Sequence, residues 1–189
     1  MTDPTALNIR ILRSLSQDFD TARRQLERSW QHDGPLTLGS AAQQFTGLSS
    51  LLGRLSDQVR IGATVPWAAA PEERRAVVMF SGATVPASRA LRHFGEALVL
   101  LGLLHEHADD PVTPPLTEAR VVTVTYQLDE VQDSLGETIR LLRRGAERLG
   151  DLPSRTAAAR SRTTATAPHT VAPPAATRTA TAPAPRRSL

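Results

Sequence analysis

The feature that most constrains this chain is a run of apolar residues at Leu38, Ala41, Phe45, Leu48, Leu52, Leu55 and Val59. Their separations alternate between three and four residues, the a/d stripe of a helix that packs along one seam. The helix starts at Thr37 or Ser40. Ser40 with Gln43 makes a capping box, whereas Thr37 keeps Leu38 inside the helix. Gly62 ends it.

A second stripe lies upstream at Leu12, Leu15, Phe19, Ala22, Leu26 and Trp30, with Arg10, Gln17, Asp20, Arg24 and Glu27 on the opposite face. Asp3 caps this helix and Pro4 opens it, where the missing N–H of proline costs nothing. Gly34-Pro35 stops it, because glycine accepts the left-handed conformation and proline cannot continue the helix. Such a short connection predicts that the first two helices form an antiparallel hairpin.

Gly62-Ala-Thr-Val-Pro66 recurs unchanged as Gly82-Ala-Thr-Val-Pro86. Each copy reads as a connector in which glycine ends one helix and proline opens the next. Between them, Pro71 starts a short helix to Phe80, with Glu72 and Glu73 in its first turn. A third long helix then runs from Pro86 to His107. Its stripe is Leu91, Phe94, Leu98, Leu101 and Leu104, widened by Leu100 and Leu103, so it is expected to be the most buried. After a proline-rich loop, a fourth helix runs from Thr117 to Gly150 on Val121, Val124, Leu128, Val131, Leu135, Leu142, Ala146 and Leu149. Val121–Tyr126 has strand propensity, yet its apolar positions run in phase with the helical stripe and no other strand offers a partner.

Beyond Pro153 the chain is built from Ala, Thr, Pro, Arg and Ser, too little apolar surface to offset the entropy of ordering. The expected fold is therefore all-α. Residues 1–150 form an antiparallel four-helix bundle: a long helical hairpin, two further helices and one short helix. Residues 151–189 form a disordered Ala/Thr/Pro/Arg-rich tail.

All 22 basic residues are arginine, which looks like the codon bias of a GC-rich genome and lowers the weight of any single arginine. They are unevenly placed. Residues 1–150 hold 16 arginines against 18 carboxylates, and residues 151–189 hold 6 against one. The chain has no cysteine, which excludes disulfides, thiolate metal sites and a cysteine nucleophile. Its longest apolar stretch, Ala97–Leu104, is far short of the roughly 20 residues that a membrane span needs. The N-terminus shows neither the basic region nor the apolar run of a secretory signal. A cytoplasmic location is the expectation.

Few residues point to chemistry. His105-Glu106-His107 with Asp109 and Asp110 is the best metal candidate, but histidines two apart do not share a helical face, and the cluster reads as a solvated helix end. His93 with Glu96 resembles half of a bundle metal site in reversed order; the further carboxylates are missing, and the two read as a surface pair. No glycine-rich phosphate loop and no serine elbow occur. The expectation is a protein that is not an enzyme and holds neither cofactor nor metal.

The densest functional signal is basic. Arg140, Arg144 and Arg148 step by four along one ridge, and Arg155, Arg160 and Arg162 follow in the tail. These six are the candidate nucleic-acid contacts, through phosphates. The bland reading is a solvated helix end whose arginines complement the helix dipole. Aromatic side chains for stacking on bases are absent beyond Tyr126.

Two further segments stand out: Trp30-Gln-His-Asp-Gly34 at the turn of the long hairpin, and Tyr126-Gln-Leu-Asp-Glu130. Together they resemble the helical substrates of actinobacterial type VII secretion, which carry Trp-x-Gly at the turn and a later Tyr-x-x-x-Asp/Glu export signal. That resemblance implies an exported helical hairpin. Taken together, the sequence points to a helical protein-interaction or scaffolding module whose partner is another protein or a second copy of itself. The alternatives are an accessory protein with weak, non-specific nucleic-acid contact and a substrate of the secretion type.

Overall fold

The computed structural model describes residues 4–31, 36–64, 71–107 and 114–165, with side chains described to Asp151. Four helices follow in order: α1 (Pro4–Gln31), α2 (Leu38–Ala63), α3 (Pro71–Glu106) and α4 (Pro114–Ala165). No strand occurs among the described residues. Asp3 and Gly34-Pro35, the predicted cap and stop of the first helix, lie outside them.

Local chemistry explains the helix boundaries. Thr37 caps α2 from extended backbone (φ −76°, ψ 149°), and its hydroxyl accepts from the Ser40 N–H. Of the two predicted starts, the Thr37 one is therefore realised, with Leu38 inside the helix. At the other end, the Thr64 hydroxyl donates to the Ile61 carbonyl at 2.7 Å, satisfying one of the orphan acceptors of the last turn.

Neighbouring helices run antiparallel throughout. Ser29 meets Gln44 while Asp18 meets Arg54, so α1 and α2 form the predicted hairpin. Phe45 packs edge-on against Phe94 with ring centroids 6.0 Å apart, fixing α2 against α3. His93 meets Gln127 and Arg89 meets Glu137, and α4 closes on α1 where Arg23 meets Gln132. The result is an up-down-up-down four-helix bundle. Across the diagonals, α1 touches α3, whereas α2 and α4 share no contact among the described residues.

The predicted short helix is not separate. It is fused to the third helix in a single α3 of 36 residues, and Pro86 lies inside it. The two copies of Gly-Ala-Thr-Val-Pro thus do different things: the first closes α2, the second passes through the interior of α3. Proline in a helix interior removes a hydrogen bond and crowds the carbonyl four residues earlier, at a cost of about 3 kcal/mol. What offsets this is the core line on either side. Ala76, Phe80, Ala83, Ala87, Ala90, Phe94 and Ala97 are all buried and alternate in steps of four and three. A break at Pro86 would split that line and expose its halves.

This alanine line also corrects the expected core of α3. Leu91, Leu98, Leu101 and Leu104 pack against the core only as partly buried side chains, and Phe94 alone of the predicted stripe is fully buried. Large side chains reach the centre from α1 and α4 instead: Leu12, Leu15, Phe19 and Leu26 from one, and Leu128, Leu135, Leu142 and Leu149 from the other.

Two further boundaries differ from the sequence reading. Val121–Tyr126 is helical as predicted, but Val121, which continues the core stripe, is 49% exposed. At the other end the sequence stops the fourth helix at Gly150, whereas the backbone stays helical through Pro153 to Ala165. Ala157–Ala159 lie in this extension and are strong helix formers. Residues 166–189, the rest of the predicted tail, lie outside the described residues. No helix is long and apolar enough to cross a membrane among the described residues.

Glycines report how closely the helices approach. A Cβ on Gly62 would collide with Val77 of α3, whereas one on Gly53 would meet nothing within 4 Å. Gly53→Ala should therefore stabilise the bundle by about 0.5–1 kcal/mol, the helix-propensity gain alone. Gly62→Ala should destabilise it by about 1–3 kcal/mol through overpacking. Urea unfolding of the two variants checks both signs.

Candidate interaction surface

Helix α4 presents two faces of different chemistry. One is the core line of Leu128, Val131, Leu135, Leu142 and Leu149, with buried Ser134 and Thr138 beside it. The Thr138 hydroxyl is satisfied within the helix, donating to the Ser134 carbonyl at 2.9 Å. The opposite face is charged between Glu130 and Asp151, and all three predicted ridge arginines stand on it: Arg140, Arg144 and Arg148 are exposed.

Arg143 is separated from them. It turns onto α1, where its Nε donates to Ser16 Oγ at 3.2 Å and its guanidinium lies 3.4 Å from Asp20. Arg155, Arg160 and Arg162 fall in the helical extension, and their side chains lie outside the described ones.

What sequence reasoning missed is that carboxylates share the outward face. Glu130, Asp133 and Glu137 precede the arginines, with Asp129 and Glu147 along one edge and Asp151 at the far end. A signal existed: these positions lie opposite the stripe of Leu128, Leu135 and Leu142 at 100° per residue. Glu137 lies 3.5 Å from Arg89 of α3, both half-exposed. Asp129, Asp133, Arg144 and Arg148 have no ion-pair or hydrogen-bond partner among the described residues. The position of the segment within the helix rules out the dipole reading. A helix dipole acts within the first and last turns. With α4 running to Ala165, Arg140–Arg148 are several turns from its end.

Among the described residues no three His, Asp or Glu side chains gather to hold an ion. His105 and Glu106 point into solvent at the end of α3, and the His107 ring lies 2.9 Å from the Leu103 carbonyl; Asp109 and Asp110 lie outside the described residues. His93 is not the surface residue expected. It is buried at 9% exposure between α3 and α4, and its Nδ1 donates to Gln127 Oε1 at 2.6 Å. Glu96 is a more distant neighbour at 3.8 Å.

A groove of about 630 Å³ follows the α1–α2 seam, its lining including Asp18, Gln25, Ser29, Gln43, Gln44 and Arg54. Gln44 Nε2 crosses it to Ser29 Oγ at 2.8 Å, leaving Gln44 Oε1 buried without a partner. Arg54 crosses to Asp18 at 2.8 Å further along. The lining thus offers amides, hydroxyls and one carboxylate–guanidinium pair.

Of the segments that resemble type VII secretion substrates, Trp30 is partly buried against the core. Tyr126 is 57% exposed, and Gly34 lies outside the described residues. No protein family, curated protein or solved structure matches this chain.

The Tyr126 hydroxyl bonds to the Glu130 carboxylate, and this hydrogen bond, reinforced by the carboxylate's charge, raises the phenol pKa above its ordinary value near 10. Because Tyr126 is the only tyrosine, an ultraviolet titration reads it alone. Its midpoint should lie above that of free tyrosine and fall when Glu130→Gln removes the charge; an unchanged midpoint would show that the pair does not form.

Proposed function

We propose that this chain is a non-catalytic helical interaction module and that its contact face is the outward side of α4. One observation carries the reading. Six carboxylates and three arginines are displayed on one face of a helix in the bundle, and several of them have no partner among the described residues. Like charges there stand at i,i+4, Asp133 before Glu137 and Arg140 before Arg144 before Arg148. That spacing is mildly destabilising in an isolated helix. A partner that supplies the opposite charges relieves it.

A second reading is favoured by the three outward arginines: contact with nucleic-acid phosphates, aided by Arg155, Arg160 and Arg162. The carboxylates on the same face oppose it, since they repel a polyanion at the distance where the arginines would attract it. Phosphate contact of that kind is weak and non-specific.

Two measurements separate the readings. A fluorescence-anisotropy titration of the full chain with a mixed-sequence duplex should give binding no tighter than about 10 μM at physiological salt. A sub-micromolar affinity that disappears with Arg140→Gln, Arg144→Gln and Arg148→Gln would establish the nucleic-acid reading instead. In parallel, cross-linking of the purified chain in extract from its own cells should give protein adducts through α4 that the same triple variant loses. Adducts that are indifferent to those three residues would remove α4 as the contact face.

A further inference from the structure

We infer that the partner of the α4 face is a second copy of this chain, docked antiparallel about a two-fold axis level with Thr138 and Ile139. The inference rests on the reading of α4 as the contact face and adds the identity of what covers it.

The charge order along the face is self-complementary. Reading along α4, the sequence is Glu130, Asp133, Glu137, then Arg140, Arg144, Arg148. The acidic half thus precedes the basic half, and the inner two pairs are mirror-spaced about a midpoint between Glu137 and Arg140, with the outer pair one residue out of register. When a second α4 is laid antiparallel on the first, Glu137 comes level with the partner's Arg140. Asp133 comes level with the partner's Arg144, and Glu130 lies one residue, about 1.5 Å, off the level of the partner's Arg148. The two-fold repeats each pair, as a closed isologous contact requires. At 1.5 Å rise per residue, the matched stretch is about 27 Å long. A parallel arrangement in register would set acid on acid and arginine on arginine.

The same pairing accounts for groups that the monomer leaves idle. Asp133, Arg144 and Arg148, without partners among the described residues, each acquire one. Asp151 comes level with Tyr126, whose exposed hydroxyl can donate to it in place of Glu130. Asp129 and Glu147, at one edge of the face, stay in solvent. Ion pairs at an exposed seam are individually weak and screened by salt, so the dimer forms at high protein concentration and low ionic strength.

Sedimentation equilibrium of the full chain tests this. At low salt the mass should rise from the monomer value of 20.4 kDa towards twice that as concentration increases, and about 0.5 M salt, where the screening length is only a few ångströms, should return it to the monomer. Two charge-reversed variants make the test specific. One carries Arg140→Glu, Arg144→Glu and Arg148→Glu, and the other Glu130→Arg, Asp133→Arg and Glu137→Arg. Each alone should be monomeric, with a circular-dichroism spectrum like the parent's, and an equimolar mixture should form a one-to-one dimer.

Orientation is read by disulfide trapping, which is clean because the chain has no cysteine of its own. Asp133→Cys mixed with Arg144→Cys should cross-link between the two variants, and Asp133→Cys should not cross-link to itself. A chain that stays monomeric at every concentration, a mixture that does not pair, or a 133–133 cross-link would overturn the inference. If the chain is monomeric but the α4-dependent adducts with other proteins persist, the α4 contact face stands and only the second copy is eliminated. Loss of both eliminates the face itself.

Discussion

How closely α3 approaches the centre of the bundle governs the rest of this structure. Five of the seven residues on its buried line are alanine. A methyl group takes little room, so the backbone of α3 can sit near the axis while Leu12, Leu15 and Phe19 of α1 and the leucines of α4 fill the remaining volume. Alternating small and large side chains across facing positions is how interiors reach native packing density. The consequence is an unequal cross-section. The α1–α3 diagonal is in contact, whereas α2 and α4 do not meet among the described residues. The same continuity explains why Pro86 is tolerated: the helix runs through a proline because the line it carries is worth more than the bond it loses.

Polar groups within the bundle fix its register. Ser16 is buried and receives a hydrogen bond from Arg143, while Arg23 and Gln132 exchange bonds across the same α1–α4 seam. Across the α3–α4 seam, buried His93 meets Gln127. Apolar contacts alone would accept a slip of one turn at little cost. These pairs would not, because each slip leaves a buried donor or acceptor without a partner. By contrast, the α1–α2 seam is bridged by Gln44–Ser29 and Arg54–Asp18 over an open groove.

Helix length decides what the charges on α4 mean. If the helix ended at Gly150, Arg148 would lie in its last turn, where the dipole would favour it. Extended to Ala165, α4 places Arg140, Arg144 and Arg148 in its interior, where the dipole has no purchase. There they form one half of a charge pattern whose other half is Glu130, Asp133 and Glu137. An exposed surface that carries both signs in separate blocks is suited to steering and registering a protein contact more than to holding a polyanion.

Much of this was legible in the sequence because helical periodicity is a local property. The stripes of α1 and α2, the Thr37 cap, the hairpin between them and the in-phase helicity of Val121–Tyr126 all follow from spacing and side-chain chemistry within a few turns. The candidate site was half legible: the arginine ridge was visible as steps of four, whereas Glu130, Asp133 and Glu137 gained meaning only from their placement on the same outward face. Other outcomes depended on distant residues. The pentapeptide Gly-Ala-Thr-Val-Pro ends α2 at its first occurrence and lies inside α3 at its second, so its conformation is not written in its own five residues. Alanine was overlooked as core because hydrophobicity ranks it below leucine. Only the packed bundle shows that the central positions of α3 need small volume, and that His93 is sealed between helices. The sequence determined which segments are helical and which faces are apolar. Tertiary structure decided which apolar face lies deepest, where a proline can be carried, and which charges are left without partners, because burial depends on the neighbours that arrive from elsewhere in the chain.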